Sequence, residues 1–416
     1  MAHIPILEIP EDIHKLCENY NGVFKKPQFK NFERFITGII INDKANVQAL
    51  AQGFRRNGGY DGLHHFLSES FWDYEKVLET SISVIKHLDE THSFSEKGWL
   101  VIDDTLIEKY GKYMEAVGKF YDHSKGCFIE YAHNLLLLLY VDNRGNSYPL
   151  KFDLYLNEEY CQKTSERFRT KIEIAKELIQ YAIDQGIDFG GVMFDSWYFC
   201  KELADFIEAN GKDWVTRCKE NRKMVYQGKT TTLQKFAKSI SAWDMEKVEA
   251  GNKKFRVLSL KASLTSLKRG VEKIRVLISR EYDENNRLKE PVFIVTNRKD
   301  FRVERILSTY QMRWTIETYF RDAKQHLGLG DYQVRGLKGV KSHWCLVFTS
   351  AIVLELMRAY AITKLGLEGR LLTIGEMCRK ANDRAICSII EWVIESVKER
   401  GMEKKEIFEY LGFCQS

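Results

Sequence analysis

Apolar and polar positions follow two different periods along this chain, and the switch between them divides it. Up to about Glu96 the apolar residues recur at helical spacing: Phe29 to Arg56 carries such a pattern, Asn57-Gly58-Gly59 breaks it, and Asp61 to Leu88 resumes it. Short apolar runs then predict strands over Trp99 to Asp104, Cys127 to Val141 and Tyr148 to Leu156, the last two joined by Asp142-Asn143-Arg144-Gly145-Asn146, a hairpin turn by composition. A helix from about Ser165 to Gln185 leads into the apolar run that ends at Asp195. A second helix, about Tyr198 to Asn210, precedes a strand over Asp213 to Cys218. Farther on, Phe255 to Leu260, Lys273 to Arg280 and Val292 to Thr296 alternate or run apolar in short lengths, so the long interval after Asp195 reads as largely β rather than as a loop. Tyr310 to Lys324, Cys345 to Tyr360 and the tail beyond Thr373 return to the helical period. Three antiparallel strands followed by alternating helix and strand predict an α/β core.

Three acids stand out against that pattern. Trp99-Leu100-Val101-Ile102 stops at Asp103-Asp104-Thr105, and Gly190-Gly191-Val192-Met193-Phe194 stops at Asp195. A carboxylate inside a sheet is costly, so a buried strand that stops at Asp sets that group at the sheet's edge, where loops and ligands meet. One such Asp is most often a cap or turn former. Two of them, with a later helix carrying Glu317, make a more demanding pattern, because three carboxylates from distant segments can converge on divalent cations. On that helix, at about 100° per residue, Tyr310, Arg313, Glu317, Arg321 and Lys324 fall within roughly 80° of arc. Met312, Ile316, Tyr319, Phe320, Ala323 and Leu327 take the neighbouring and opposite side. A solvated salt-bridge stripe is the simpler account of such a face taken alone.

Composition narrows the classes. At 416 residues the chain is too long for one ordinary core, and 44% hydrophobic with 12% aromatic residues argues against disorder. By composition no apolar run approaches the length of a membrane span, Leu135 to Tyr140 being too short, and Met1-Ala2-His3-Ile4-Pro5 lacks the pattern of a secretory leader. Nine cysteines without a C-x-x-C pair predict reduced thiols in a cytoplasmic protein. The net charge of +5 is modest, but from Lys219 to Lys289 basic residues outnumber acidic ones roughly two to one, with clusters at Arg222-Lys223, Lys253-Lys254-x-Arg256 and Lys268-Arg269.

The spacing Tyr310-x2-Arg313-x3-Glu317-x6-Lys324, with both Asp contexts upstream, resembles the DDE transposases of bacterial insertion sequences, specifically the cut-and-paste group with a Tyr-x2-Arg-x3-Glu-x6-Lys signature. The resemblance covers about Trp99 to Tyr360. It implies an RNase H-like catalytic core with a largely β insertion between the second Asp and the Glu, preceded by a helical N-terminal domain. The corresponding divisions are residues 1–95, helical and suited to DNA-end binding, 96–218 for the first part of the core and 219–290 for the basic insertion. Residues 291–360 follow as the second part of the core and 361–416 as a helical tail. The N-terminal helices fit a packing cap equally well by pattern. The implied catalytic and metal-binding acids are Asp104, Asp195 and Glu317, with Asp103 as second choice to Asp104, since the family's first acid is followed directly by Thr. Hard oxygen donors point to Mg²⁺, two ions, with Mn²⁺ as a substitute.

The function implied is cleavage of the ends of the protein's own insertion sequence and joining of the 3′ hydroxyls to target DNA. An RNase H-like nuclease without strand transfer, or a catalytically idle sequence-specific DNA-binding descendant, are the alternatives. Its partners would be double-stranded DNA, as element ends and target, and a second copy in the DNA complex, with no membrane, on the bacterial nucleoid. Tyr310, Arg313, Arg321 and Lys324 are candidate DNA contacts beside the cut. Arg335 and Lys338, in the glycine-spaced segment after Gly328, and Lys253, Lys254 and Arg256, in the insertion, are further candidates for phosphate. Trp243 reads first as a core tryptophan and second as a platform for an unpaired base.

Overall fold

In the computed structural model residues 5–42, 44–55, 59–268, 274–365 and 372–412 are described. The Asn57-Gly58 break, Arg269 and Lys273 lie outside the described residues. Helices come first, α1 (Glu11–Cys17), α2 (Lys26–Ile41), α3 (Val47–Gly53), α4 (Tyr60–Ser68) and α5 (Tyr74–Lys86). The helical stretches expected at Phe29 to Arg56 and Asp61 to Leu88 are each split in two. The cause is local: Asn46 and Asp73 turn their side chains back as N-caps, accepting from Ala49 and from Glu75 and Lys76, so α3 and α5 start afresh.

Next come β1 (Trp99–Glu108), β2 (Gly118–Asp122), β3 (Cys127–Val141), β4 (Ser147–Tyr155), α6 (Glu158–Thr164), α7 (Lys171–Asp184), β5 (Gly191–Phe194), α8 (Lys201–Ala209) and β6 (Asp213–Cys218). Strand β2 has no counterpart in the apolar pattern, because its short polar-rich run has no clear period. The helix expected from Ser165 begins at Lys171, because Thr170 and Glu173 form a capping box and Ser165 takes the left-handed conformation that ends α6.

β3 and β1 pair antiparallel, β3 and β4 antiparallel, and β1, β5 and β6 run parallel. The sheet does not stop at β6. The interval beyond it supplies β7 (Lys223–Tyr226), β8 (Lys229–Thr232), α9 (Leu233–Lys238), β9 (Glu246–Ala250), β10 (Lys253–Leu264), β11 (Ile274–Glu281) and β12 (Val292–Thr296), and β12 pairs with β6. The result is one mixed sheet of twelve strands. Gly191 is required at the crossing of β1 and β5, since a Cβ there would stand 2.4 Å from the Trp99 ring and 2.6 Å from the Asp213 carbonyl oxygen.

The chain closes with α10 (Val303–Met312), α11 (Trp314–His326), α12 (Leu337–Leu365), α13 (Ile374–Arg400) and α14 (Lys404–Leu411). From Leu337 to Tyr360, α12 is long and apolar enough to cross a membrane, which corrects the expectation that no run reaches that length. Its most apolar 18-residue stretch is 94% buried inside the protein. The helix packs against α1, α2, α4 and α5, against β4 and against α13, so the N-terminal helices share a core with the last third of the chain.

Candidate active site

The parallel pairing of β1 with β5 ends at Ile102 opposite Phe194. Asp103 and Asp195 are the next positions in that register; Asp195 leaves β5, while β1 runs on to Glu108 with Asp103 and Asp104 still paired to β3, which corrects the expectation that the first strand stops at its aspartates. Neighbours in register on parallel strands present side chains to the same face, and the electrostatics agree: Asp195 is among the groups that raise the Asp103 carboxyl. Burial raises it most, the Asp104 charge adds to that, Arg313 and the Asp104 N–H oppose, and the balance is a pKa of about 7.

Alternation along β1 sorts the next three side chains. Thr105, two residues from Asp103, receives a hydrogen bond of 2.7 Å from Lys324 Nζ on α11, which also donates to the Leu106 carbonyl at 3.0 Å. Asp103 and Thr105 thus face α11. Asp104 faces the other way and is held there: Tyr198 Oη donates to its Oδ1 at 2.7 Å and Lys171 Nζ, at the start of α7, lies 2.7 Å from its Oδ2. The Asn134 amide, oriented by its neighbours, donates to the same Oδ2 at 3.0 Å. Burial and the surrounding carboxylates hold the Tyr198 phenol well above its ordinary range, so it stays a donor.

Arg313 is the hub of the α11 face. The helix expected to run unbroken from Tyr310 to Lys324 is interrupted there, with Arg313 closing α10 and opening α11. Its guanidinium lies 2.6 Å from Glu317 Oε1 and 3.5 Å from Asp103 Oδ2, and the residue is 6% exposed. Burial alone would lower its pKa. Tyr310, Glu317 and Asp103 outweigh that and raise it, so the cation is secure. Tyr310 packs against it with the ring centroid 5.8 Å from Cζ, and its own phenol is raised by burial. The Nε of Arg313 is buried and has no partner among the described residues.

Asp103, Asp104, Asp195, Tyr198, Lys219 and Lys324 line an open groove of about 720 Å³. Trp197 lines the groove and the Trp314 ring lies 5.5 Å from the Arg313 guanidinium, each with half or more of its surface exposed, and Lys171 sits 5.2 Å from the Trp197 ring. Arg321 points elsewhere, to Asp322 at 3.2 Å. Arg335 is exposed, and Lys338 donates to the Glu69 carbonyl at 2.9 Å, tying the segment after α11 to the end of α4. In that segment Gly328 has φ +61 and would meet Ala45 Cβ at 2.6 Å, so its glycine answers a packing need within the protein.

In the insertion, Lys253 lies 3.1 Å from Glu281 and Lys254 4.0 Å from Glu249, both exposed. Arg256 is buried, donating to the Met245 carbonyl at 2.8 Å and to Tyr282 Oη at 3.1 Å, so its guanidinium is committed to the fold. Trp243 is 83% exposed over Arg256, at 5.1 Å, and the expectation that it lies in the core is corrected. It sits in a three-residue 3₁₀ turn, Ala242–Asp244, none of whose residues is buried.

Lys171 and Tyr198 are site residues that the sequence pattern does not single out. Each carries one faint signal, a lysine at a capping box and a tyrosine three residues past Asp195, and neither signal says which carboxylate the side chain reaches.

Among the described residues no three acidic, histidine or cysteine side chains gather at metal-binding distances. Arg313 stands between Asp103 and Glu317 in that role. The donor set still suits a hard divalent ion: three carboxylates, one of them driven toward its neutral form by burial and by adjacent negative charge, is an arrangement that a cation would discharge.

A sequence profile described as DDE superfamily endonuclease matches residues 20–238, just over half of the chain, and the chain belongs to that family. The match takes in Asp103, Asp104 and Asp195 and ends before Glu317. Among curated proteins, the chain is 28% identical over 190 residues to the probable transposase for insertion sequence element IS701 of Microchaete diplosiphon. That alignment covers 45% of this chain and 47% of the relative, so the chain spans about half the length of the relative it matches. Two solved structures are similar at low identity. One is a piggyBac transposase synaptic complex with hairpin DNA (9% identity, TM-score 0.48, 98% of this chain and 81% of that one). The other is a Drosophila P element transposase strand transfer complex (10% identity, TM-score 0.23, 96% and 97%). Neither likeness reaches a TM-score of 0.5, and the family rests on the sequence match.

Proposed function

We propose that the chain is a DNA transposase of the cut-and-paste kind, which cleaves the ends of its own insertion sequence and joins the freed 3′ hydroxyls to target DNA. The observation that carries this reading is that Asp103, next in register to Asp195 where β1 and β5 stop pairing, shares the buried Arg313 with Glu317 on α11. The strand order β4-β3-β1-β5-β6, with the first three antiparallel and the rest parallel to β1, supports an RNase H-like core. The β7 to β11 strands are then the insertion and the α1 to α5 region the N-terminal unit.

Asp103, Asp195 and Glu317 are the proposed metal-holding acids. Asp104, the first choice on the Thr context, becomes a positioning group that fixes Lys171 and Tyr198 beside the groove. Bound Mg²⁺, or Mn²⁺ in its place, would supply activation of water or a 3′ hydroxyl and stabilisation of the leaving oxygen. The chain's own residues do the rest. Arg313, freed from the two carboxylates, offers a bidentate fork to a phosphate beside the cut, and Lys324 and Lys219 add point charges at the groove wall. Trp197 and Trp314 present aromatic faces to bases at the DNA end. Double-stranded DNA is the substrate, and a second copy would assemble with the first on paired ends.

A cleavage and strand-joining assay on DNA carrying the native element ends, with and without Mg²⁺, tests this. Metal-dependent nicking at the ends and joined products are expected. Nicking without joining would leave a nuclease, and the absence of both in the intact chain would leave only a DNA-binding descendant.

A further inference from the structure

The second half of α13 carries an apolar stripe that no described residue covers. Ile386, Ile390, Ile394 and Val397 are 41%, 52%, 46% and 51% exposed. Their placement is not scattered: at about 100° per residue Ile386, Ile390, Val393 and Val397 fall within roughly 60° of arc, spaced four, three and four apart, the seam spacing of a two-helix coil. The opposite side of the helix is anchored. Ala381 and Ala385 are buried, Trp392 stacks on Tyr410 of α14 with centroids 4.5 Å apart, and Met402 N–H donates to the Ser396 carbonyl at 3.0 Å. The stripe therefore faces away from the protein on a helix that is otherwise fixed.

The same spacing carried one step beyond each end of the seam reaches Asp383 and Arg400. Both are exposed, and among the described residues neither makes an ion pair. These two charges choose an occupant. In an antiparallel pairing centred between Glu391 and Trp392, Ile386 opposes Val397, Ile390 opposes Val393, and Asp383 opposes Arg400 at both ends of the seam. A parallel pairing would set Asp383 on Asp383 and Arg400 on Arg400, which repel. A self-complementary patch of this kind is the mark of a two-fold interface.

We propose that the exposed face of α13 binds the α13 of a second copy of this chain, antiparallel about a two-fold axis, in the absence of DNA. The pairing is independent of the reaction proposed above and would hold in a chain that cuts nothing.

Sedimentation velocity of the full chain without DNA, at concentrations up to tens of micromolar, is the test. The expected species has twice the 48.7 kDa chain mass. Ile390→Glu, at an exposed position, should yield monomer with unchanged circular dichroism and melting temperature. Asp383→Arg and Arg400→Asp should each weaken association by about tenfold, and the double variant should restore it, because the opposed charges are merely exchanged. A monomeric wild type across the range, or a dimer untouched by Ile390→Glu, would overturn the interface. Single charge variants that weaken association without rescue by the double would overturn the antiparallel arrangement.

Discussion

Arg313 lies 2.6 Å from the Glu317 carboxylate four residues later, across the break between α10 and α11, while its second amino group reaches Asp103 at 3.5 Å. An exposed pair at this spacing is a minor contribution to stability. Here the arginine is buried, so it ties a helix to the middle of β1 and leaves two carboxylates dependent on it. Replacing it should therefore disturb both the site and the fold around it.

Charge at Glu317 should separate chemistry from binding. Glu317→Gln keeps size and removes a metal-holding charge, so cleavage should fall below detection while DNA-end binding stays level or tightens. Arg313→Ala should weaken both, and should lower the unfolding midpoint by leaving Asp103 without its cation. Gel-shift and cleavage assays run side by side on the two variants decide this. Full cleavage by Glu317→Gln would remove the acid on which the proposed function turns.

Asp103→Asn and Asp104→Asn should differ, although the residues are adjacent. The first removes an acid from the Glu317 face and should abolish cleavage. The second leaves that face intact but removes the charge and one of the two acceptor oxygens that Tyr198 and Lys171 share, so a partial loss is expected, comparable with that of Tyr198→Phe. One hydrogen bond to a charged group is worth about 1.5–3 kcal/mol, or roughly ten- to a hundredfold if it acts wholly in the rate-limiting step. Single-turnover rates would show it, and equal loss in both Asn variants would restore Asp104 as the first acid.

The basic residues of β10 should have unlike effects. Neutralising Lys253 and Lys254, both exposed, should weaken specific and random DNA alike and flatten the salt dependence by about 0.9 log unit for each phosphate no longer neutralised. Arg256→Ala should instead cost about 1–3 kcal/mol of stability, because it strands the Met245 carbonyl and Tyr282 hydroxyl under Trp243. Binding titrations over a salt series, with denaturant unfolding beside them, distinguish the two. An unchanged salt slope in the double lysine variant would exclude those lysines from the DNA path.

Acid should destabilise the protein through two buried histidines. Burial lowers His133 and His343 to about 4 each. His133 is fitted for the neutral ring, facing Tyr332 Oη at 2.6 Å through Nδ1 and the Glu115 carbonyl at 2.8 Å through Nε2. With the folded pKa below the unfolded value of about 6.5, the unfolded chain binds the extra protons. Their contribution is thus intact above about pH 6.5, declines as pH falls toward 4, and changes no further below that. Denaturant unfolding from pH 7.5 to 4.5 should show a decline, on the order of a few kcal/mol, that is shallower in His343→Gln. Equal slopes in wild type and variant would rule out His343 as a source.

How far the sequence reaches is clearest at β1. An apolar run that halts at two aspartates, another that halts at one, and a helix bearing Glu317 among cations are visible without a structure, since burial and helical period are local properties of the chain. Which aspartate faces Glu317 is not local. Successive residues of a strand point to opposite faces, so the choice depends on which face α11 covers, and that packing joins residues more than two hundred positions apart. The same holds for Arg256 and Trp243, whose burial and exposure follow from how β10 meets the turn before β9. The N-terminal helices are likewise legible as helices from their period, yet only packing decides that their apolar faces close over α12. Period and composition determine what each segment can bury; the partner it buries against, and hence which polar group is left facing the site, is a property of the assembled core.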